Sequence, residues 1–208
     1  MLDLLRQLDS QVLLSVNSLN SPAWDSIMSS LSEEWTWIPV IGAIFWLVHL
    51  RHGWRGLVLS VLYTGALYGV TAVGVKIIKH SAERLRPFLQ GELAPLLHLP
   101  DHLPHSAYGF VSTHSAAAFA FAVFGALLIH RRWSTLSLLC WACAVAYSRV
   151  YLGVHFPGDV VGGALWGSAL AGIAYTLWRF IPARLYVRTP LLPSVEAIVP
   201  AHAGSSTL

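Results

Sequence analysis

Residues able to do polar chemistry stand at the margins of long apolar stretches in this chain. Lys79 and Arg86 follow one stretch, Ser112 and His114 open the next, Ser148 and Arg149 close another, and His155 and Asp159 precede the last. Ionisable groups in such places are costly to keep and are functional candidates by default. The set suits phosphoryl transfer, where catalysis is mostly positioning and stabilisation of charge on the equatorial phosphate oxygens. Arginine forks and a lysine point charge match that task. Two histidines allow one to attack phosphorus while the other protonates the departing oxygen. Asp159, four residues after His155, is spaced to fix its tautomer and support its cationic form. Ser112, Thr113 and His114 lie in the first turn of a predicted helix, where free backbone N–H groups favour anions.

The elements that must position these residues are membrane helices. Of 208 residues, 55% are hydrophobic and 11% charged, against roughly 25% charged in a soluble domain. Apolar segments run about Trp35 to Leu50, Trp54 to Ile78, Ser112 to Ile129, Ser134 to Tyr147 and Asp159 to Trp178, and a bilayer span needs ~20 mostly apolar residues. The expected fold is all-α, an integral membrane bundle of five or six transmembrane helices. Residues 1–34 read as a pair of amphipathic interfacial helices, with a sixth span over Val12 to Leu31 as the alternative. Residues 35–180 form the catalytic domain and 181–208 a cytoplasmic tail. The start, MLDLLRQLD, lacks the basic region and cleavage site of a secretory signal.

Sidedness follows from Lys and Arg in short loops, which mark the cytoplasmic side. Arg51 and Arg55, Arg131 and Arg132, and Arg179, Arg184 and Arg188 occupy alternate connections. The opposite face then receives all the candidate chemistry, with Glu33 and Glu34. Trp35 and Trp37 on one side, and Trp54, Trp133 and Trp178 on the other, read as interfacial belts.

Other features have plainer readings. Cys140 and Cys143 sit in an apolar run and are expected to be small, buried packing residues rather than a redox pair. Gly163 and Gly167 form GxxxG, expected to pack within the bundle. His98, Asp101, His102 and His105 resemble a metal cluster in composition only, because their spacing implies no ligand geometry; no metal is expected. Phe88 to Phe110 is instead a candidate lid or substrate-selecting element. Lys76 and Arg84 are auxiliary cations, suited to a second phosphate or an anionic lipid. The basic residues form no face for nucleic acid, so none is expected as a partner.

Taken together, Lys79 with Arg86-Pro87, then Ser112-Thr113-His114, then Ser148-Arg149 with His155 and Asp159 resemble the three-part signature of type 2 phosphatidic acid phosphatases (PAP2), relatives of the vanadium haloperoxidases. The likeness covers Lys79 through Asp159. It implies a phosphohistidine mechanism with no metal or other cofactor. His155 would be the nucleophile, Asp159 its partner and His114 the acid for the leaving group. Lys79, Arg86 and Arg149 would clamp the phosphate, with hydrogen bonds from Ser112 and the Thr113 backbone. The second motif departs from the usual Pro-Ser-Gly-His, reading Val111-Ser112-Thr113-His114. The resemblance further implies a lipid phosphate substrate in a bacterial inner membrane, with the site on the extracytoplasmic face. Undecaprenyl diphosphate ranks first, ahead of phosphatidylglycerol phosphate, phosphatidate and a lipid A phosphate; oligomeric state stays open. A small transporter would instead spread charges through the span interiors, and a noncatalytic lipid-binding protein would not require the full His, His and Asp set.

Overall fold

The computed structural model describes residues 2–99 and 106–181, and these are mostly helical. Six helices follow in order: α1 (Leu2–Asn17), α2 (Pro22–Ser32), α3 (Ile38–Ala82), α4 (Thr113–Ile129), α5 (Arg132–Tyr151) and α6 (Pro157–Arg179). No strand occurs among the described residues; one isolated bridge pairs Leu85 with Tyr108. Helix α3 is two arms meeting at Gly53, which adopts φ 70°. That left-handed conformation suits glycine, and it divides the element where the sequence separates its first two apolar segments. The arms 38–52 and 54–82 and helices α4, α5 and α6 thus match the five expected apolar segments.

Helix α4 occupies the centre. It is apolar on every side, as a fully enclosed helix must be, and Ala116, Ala118, Ala120, Ala122, Phe124, Leu128 and Ile129 are all buried. Its alanines admit α6 at very short range. A Cβ on Gly163 would lie 2.5 Å from the Ser112 carbonyl oxygen, and one on Gly167 would lie 2.0 Å from that of Ala116. The GxxxG pair therefore packs inside the bundle, as expected.

The outer surface carries large apolar side chains, among them Trp46, Leu62, Val73, Ile77, Leu165 and Ile173. Apolar area of that extent is foreign to a soluble monomer and is what lipid covers in a membrane protein. Glu34–Ala82 and Pro157–Arg179 are long and apolar enough to cross a bilayer, and Thr113–Ile129 is apolar but shorter.

Three expectations need correction or restriction. A single span over Val12 to Leu31 is interrupted, since α1 ends at Asn17 and Pro22 starts α2 with Ser21 as its cap. The 11 residues of α2 reach only ~17 Å, short of a ~30 Å hydrocarbon core. Trp35, Trp54 and Trp133 are exposed as belt residues should be, but Trp37 and Trp178 are core. Trp37 donates from Nε1 to the Leu31 carbonyl at 3.0 Å and packs edge-on against Trp141, so its polar atom is satisfied without water. Cys140 and Cys143 are free and face outward from α5, not inward; three residues apart on a helix, they share its outer face. Arg184, Arg188 and the remaining tail, with Asp101, His102 and His105, lie outside the described residues.

Candidate active site

Alternating helix direction gathers the candidate residues at one end of the bundle: Lys79 in the last turn of α3, Ser112 capping α4, Arg149 ending α5, and Asp159 in the first turn of α6. Arg51, His52, His130, Tyr175 and Arg179 line a pocket at the other end, the end that the loop arginines mark in the sequence.

His155 is held by a tight turn. After α5 the chain reverses through Gly153, at φ 69°, where a Cβ would also crowd Leu99 and Asn17. The Arg149 carbonyl then accepts from the His155 backbone N–H at 3.2 Å. Arg86 donates from Nη1 to His155 Nε2 at 2.9 Å and to the Val154 carbonyl at 3.0 Å, and from Nε to the Ser106 carbonyl at 2.7 Å. On the other side of the ring, Nδ1 faces Asp159 Oδ2 at 3.4 Å. That same oxygen accepts the Phe156 backbone N–H at 3.0 Å, tying the carboxylate to the start of α6. His155 is 1% exposed and the Asp159 side chain 0%, so each depends on these partners. Burial first, then the charges of Arg86, Arg149 and Lys79, holds the His155 imidazole well below its usual pKa, with the Gly109 carbonyl acting in the opposite sense. Burial also brings Arg86 down to about 10, still cationic at neutral pH.

Lys79, Arg86 and Arg149 are only 8%, 4% and 7% exposed, and none is ion-paired among the described residues. The Arg149 Nε is buried without any hydrogen-bond partner. Three buried cations without a carboxylate partner among the described residues make an electropositive cluster that an anion would neutralise, since buried charge is costly until paired. Ser112 is fully buried and its Oγ caps α4 by accepting the Ser115 N–H at 3.4 Å. Its hydroxyl hydrogen stays available to donate. Thr113 takes the first helical position of α4, and its φ is not among the positive ones. Threonine therefore meets no left-handed requirement where the usual motif has glycine. His114 follows in the same turn, edge-on to Trp37 with ring centroids 5.8 Å apart, and within electrostatic range of Arg149, His155, Arg86 and Lys79. Its ring makes no hydrogen bond among the described residues, which leaves it open to a ligand. Ser148 points elsewhere: it donates to the Val145 carbonyl and meets Ser32 of α2 at 2.9 Å.

Two residues outside the expected set join the site. Arg84, read from sequence as an auxiliary cation for a second phosphate or a lipid, instead pairs with Asp159 Oδ1 at 2.9 Å and with Asp9 Oδ2 at 2.5 Å. Asp9 had no signal in the sequence: it is one acidic residue on an amphipathic helix, 75 positions from its partner. The His-rich loop contributes His98, but to structure. Its Nε2 meets Asp25 Oδ2 at 2.9 Å, and its backbone is clasped by the Asn17 side chain at 2.8 Å. Among the described residues no three His, Cys, Asp or Glu side chains converge on a metal position.

A family model described as the PAP2 superfamily matches residues 56–182. The chain is 30% identical over 193 residues to a lipid A 4'-phosphatase of Bacteroides thetaiotaomicron, covering 92% of this chain and 86% of that protein. It is 31% identical over 141 residues to an undecaprenyl-diphosphatase of Sulfolobus acidocaldarius, covering 68% and 63%. The fold matches the crystal structure of the transmembrane PAP2-type phosphatidylglycerolphosphate phosphatase of Bacillus subtilis, with a TM-score of 0.66 at 23% identity over 86% of this chain and 88% of that one. With the family model spanning more than half of the sequence and a relative aligned along nearly all of it, this chain belongs to the PAP2 superfamily and is a PAP2-type lipid phosphatase.

Proposed function

We propose that this protein hydrolyses a lipid phosphate through a phosphohistidine formed on His155, at the extracytoplasmic boundary of a bacterial inner membrane that its helices cross five times. The observation that carries the reading is the burial of Lys79, Arg86 and Arg149, three cations without carboxylate partners among the described residues, near one histidine whose Nδ1 faces Asp159. In this reading the phosphate takes its negative charge to those cations and to the Ser112 hydroxyl and Thr113 N–H at the start of α4. His155 Nε2 attacks phosphorus in line with the leaving oxygen. As the N–P bond forms and the P–O bond breaks, His114 gives its proton to the departing oxygen, its protonated form being favoured by the bound anion. The imidazole becomes an N-phosphorylated cation, balanced by Asp159 across Nδ1–H. Water then attacks phosphorus, His114 takes its proton, and phosphate leaves as His155 Nε2 is restored. A bilayer location lets the lipid tail stay in hydrocarbon while the headgroup enters the polar end of the bundle.

A lipid A phosphate is the first substrate to test, because the likeness to the lipid A 4'-phosphatase extends over 92% of this chain. Undecaprenyl diphosphate, first by sequence, is the second. Phosphate release by the purified protein in detergent, compared across lipid A, undecaprenyl diphosphate, phosphatidylglycerol phosphate and phosphatidate, decides the order by kcat/KM. No release from any of them would sink the phosphatase reading.

A further inference from the structure

We infer that Arg84, itself held by Asp9 of α1, is a positioning residue that fixes Asp159 against His155, so that the N-terminal helix is a working part of the active site. The inference rests on the proposed roles of His155 and Asp159 and adds to them a residue pair those roles do not include.

Local backbone geometry explains why one short segment serves both members of the dyad. Around Leu85 the chain is extended and bridged to Tyr108; Arg86 N–H donates to the Ala107 carbonyl at 3.0 Å, and Gly109 N–H to that of Arg84 at 2.8 Å. In an extended chain, residues two apart face the same side. Leu85 is accordingly exposed, and the two arginines point inward together. Arg86 reaches His155 Nε2, and Arg84 reaches Asp159 Oδ1. The carboxylate is thereby divided: Oδ1 belongs to Arg84, while Oδ2 serves the Phe156 N–H and the His155 ring.

The guanidinium of Arg84 is occupied in a way those of Arg86 and Arg149 are not. One Nη meets Asp159 and the other Asp9, and its Cζ lies 4.2 Å above the centre of the Phe156 ring. Asp9 uses its second oxygen to accept the Gly158 N–H at 2.7 Å, in the first turn of α6. Two carboxylates on one fork leave it with no net call for phosphate, and a stacked, bidentate arginine has a single orientation. Asp9 and Arg84 are a charge-neutral pair beside the dyad. Their effect is to hold Asp159 in one rotamer, which in turn fixes the proton on His155 Nδ1 and keeps Nε2 as the nucleophile.

The test compares Arg84→Gln, Arg84→Lys, Asp9→Asn and the Arg84→Gln/Asp9→Asn double variant in detergent. Measured are kcat and KM on the best lipid substrate, the inhibition constant of inorganic phosphate, and the melting temperature. Partners that orient a working histidine typically matter by about 10–100-fold. Arg84→Gln should lose about that much kcat while KM and the phosphate inhibition constant stay within about twofold. Arg84→Lys should recover part of the loss. Asp9→Asn should lower kcat less, and its effect should vanish in the Arg84→Gln background, because the two act through one contact. A phosphate inhibition constant that rises along with the kcat loss would make Arg84 a phosphate ligand and overturn the inference. So would wild-type kcat in Arg84→Gln, or fully independent effects in the double variant. If Arg84→Gln does not fold, Arg84→Lys and Asp9→Asn give the same comparison. His155→Ala is run beside them: turnover in that variant removes the proposed mechanism itself, whereas an inactive His155→Ala with an unaffected Arg84→Gln removes only the positioning role.

Discussion

Arg86 Nη1 donates to His155 Nε2 at 2.9 Å, and this one bond assigns the protons of the ring. A guanidinium has no lone pair and stays charged, so Nε2 must accept, and the imidazole proton sits on Nδ1, toward Asp159. The Nε2 lone pair, the nucleophile of the proposed mechanism, therefore faces Arg86, whose N–H a phosphate oxygen would displace. In the proposed mechanism Arg86 keeps its bonds to the Val154 and Ser106 carbonyls and turns one N–H to the substrate.

The two histidines should fail in different ways. His155→Ala should abolish phosphate release, and no phosphoenzyme should be trapped by acid quench with radiolabelled lipid. His114→Ala should slow turnover by about 10²–10⁴-fold, the usual contribution of a general acid. It should still form the phosphoenzyme from a substrate whose leaving group needs no proton, such as an aryl phosphate. Equally slow phosphoenzyme formation from that substrate and from the lipid in His114→Ala would contradict the assignment.

Activity should persist into mildly acidic solution. His155 is held well below the usual imidazole pKa by burial and three cations, so the acid limb of kcat/KM that reports its protonation should lie below about 6.5. Arg86→Gln removes one of those cations and should move the limb upward, even as the rate falls. The stability consequence has a definite sign. The unfolded chain protonates this histidine near 6.5 and the folded one only at lower pH, so stability is full above 6.5 and declines as pH drops through that window. Melting temperature in detergent should show this decline, and His155→Asn should flatten it. A histidine that gained protons on folding would give the opposite slope.

Gly167→Ala should damage the site from a distance. A Cβ there would overlap the Ala116 carbonyl oxygen at 2.0 Å, and backbone on both sides leaves nothing flexible to yield. Overpacking of this kind typically costs about 1–3 kcal/mol or more. The melting temperature should fall, and kcat with it, because separating α6 from α4 carries Asp159 away from Ser112 and His114. Gly172, whose added Cβ would meet nothing within 4 Å, should accept the same change without loss on either measurement.

Vanadate should inhibit by taking the five-coordinate geometry of the transferring phosphorus. Arg149→Gln should weaken that inhibition at least tenfold, since the Arg149 Nε is buried with no hydrogen-bond partner among the described residues and so is open to an anion. EDTA should leave turnover unchanged; complete loss restored by a divalent cation would revive a metal reading of the His-rich loop.

Much of this protein was open to reading from the sequence because its signals are local or periodic. The charge deficit and apolar runs select a helical membrane protein, since only a satisfied backbone survives in hydrocarbon. The alternation of spans is enough to bring Lys79, His114, Arg149 and Asp159 to one end, because consecutive helices reverse direction. The burial of Trp37 and Trp178 and the outward placement of the cysteine pair are not legible in the sequence, because belt and core tryptophans, or inward and outward cysteines, have the same composition. Only neighbours such as Leu31 and Trp141 distinguish them.

The sequence by itself therefore determined the class of fold and, through motif order, the residues proposed to surround a phosphate. The tertiary structure alone decided which histidine nitrogen faces Arg86 and which faces Asp159, and that Arg84 pairs with Asp159. It alone brought Asp9 of α1 beside the His155–Asp159 pair. Periodicity specifies which face a residue occupies on its own helix. It carries no information about which side chain 75 positions away that face will meet, and bonds between guanidinium and carboxylate depend on that distance and angle.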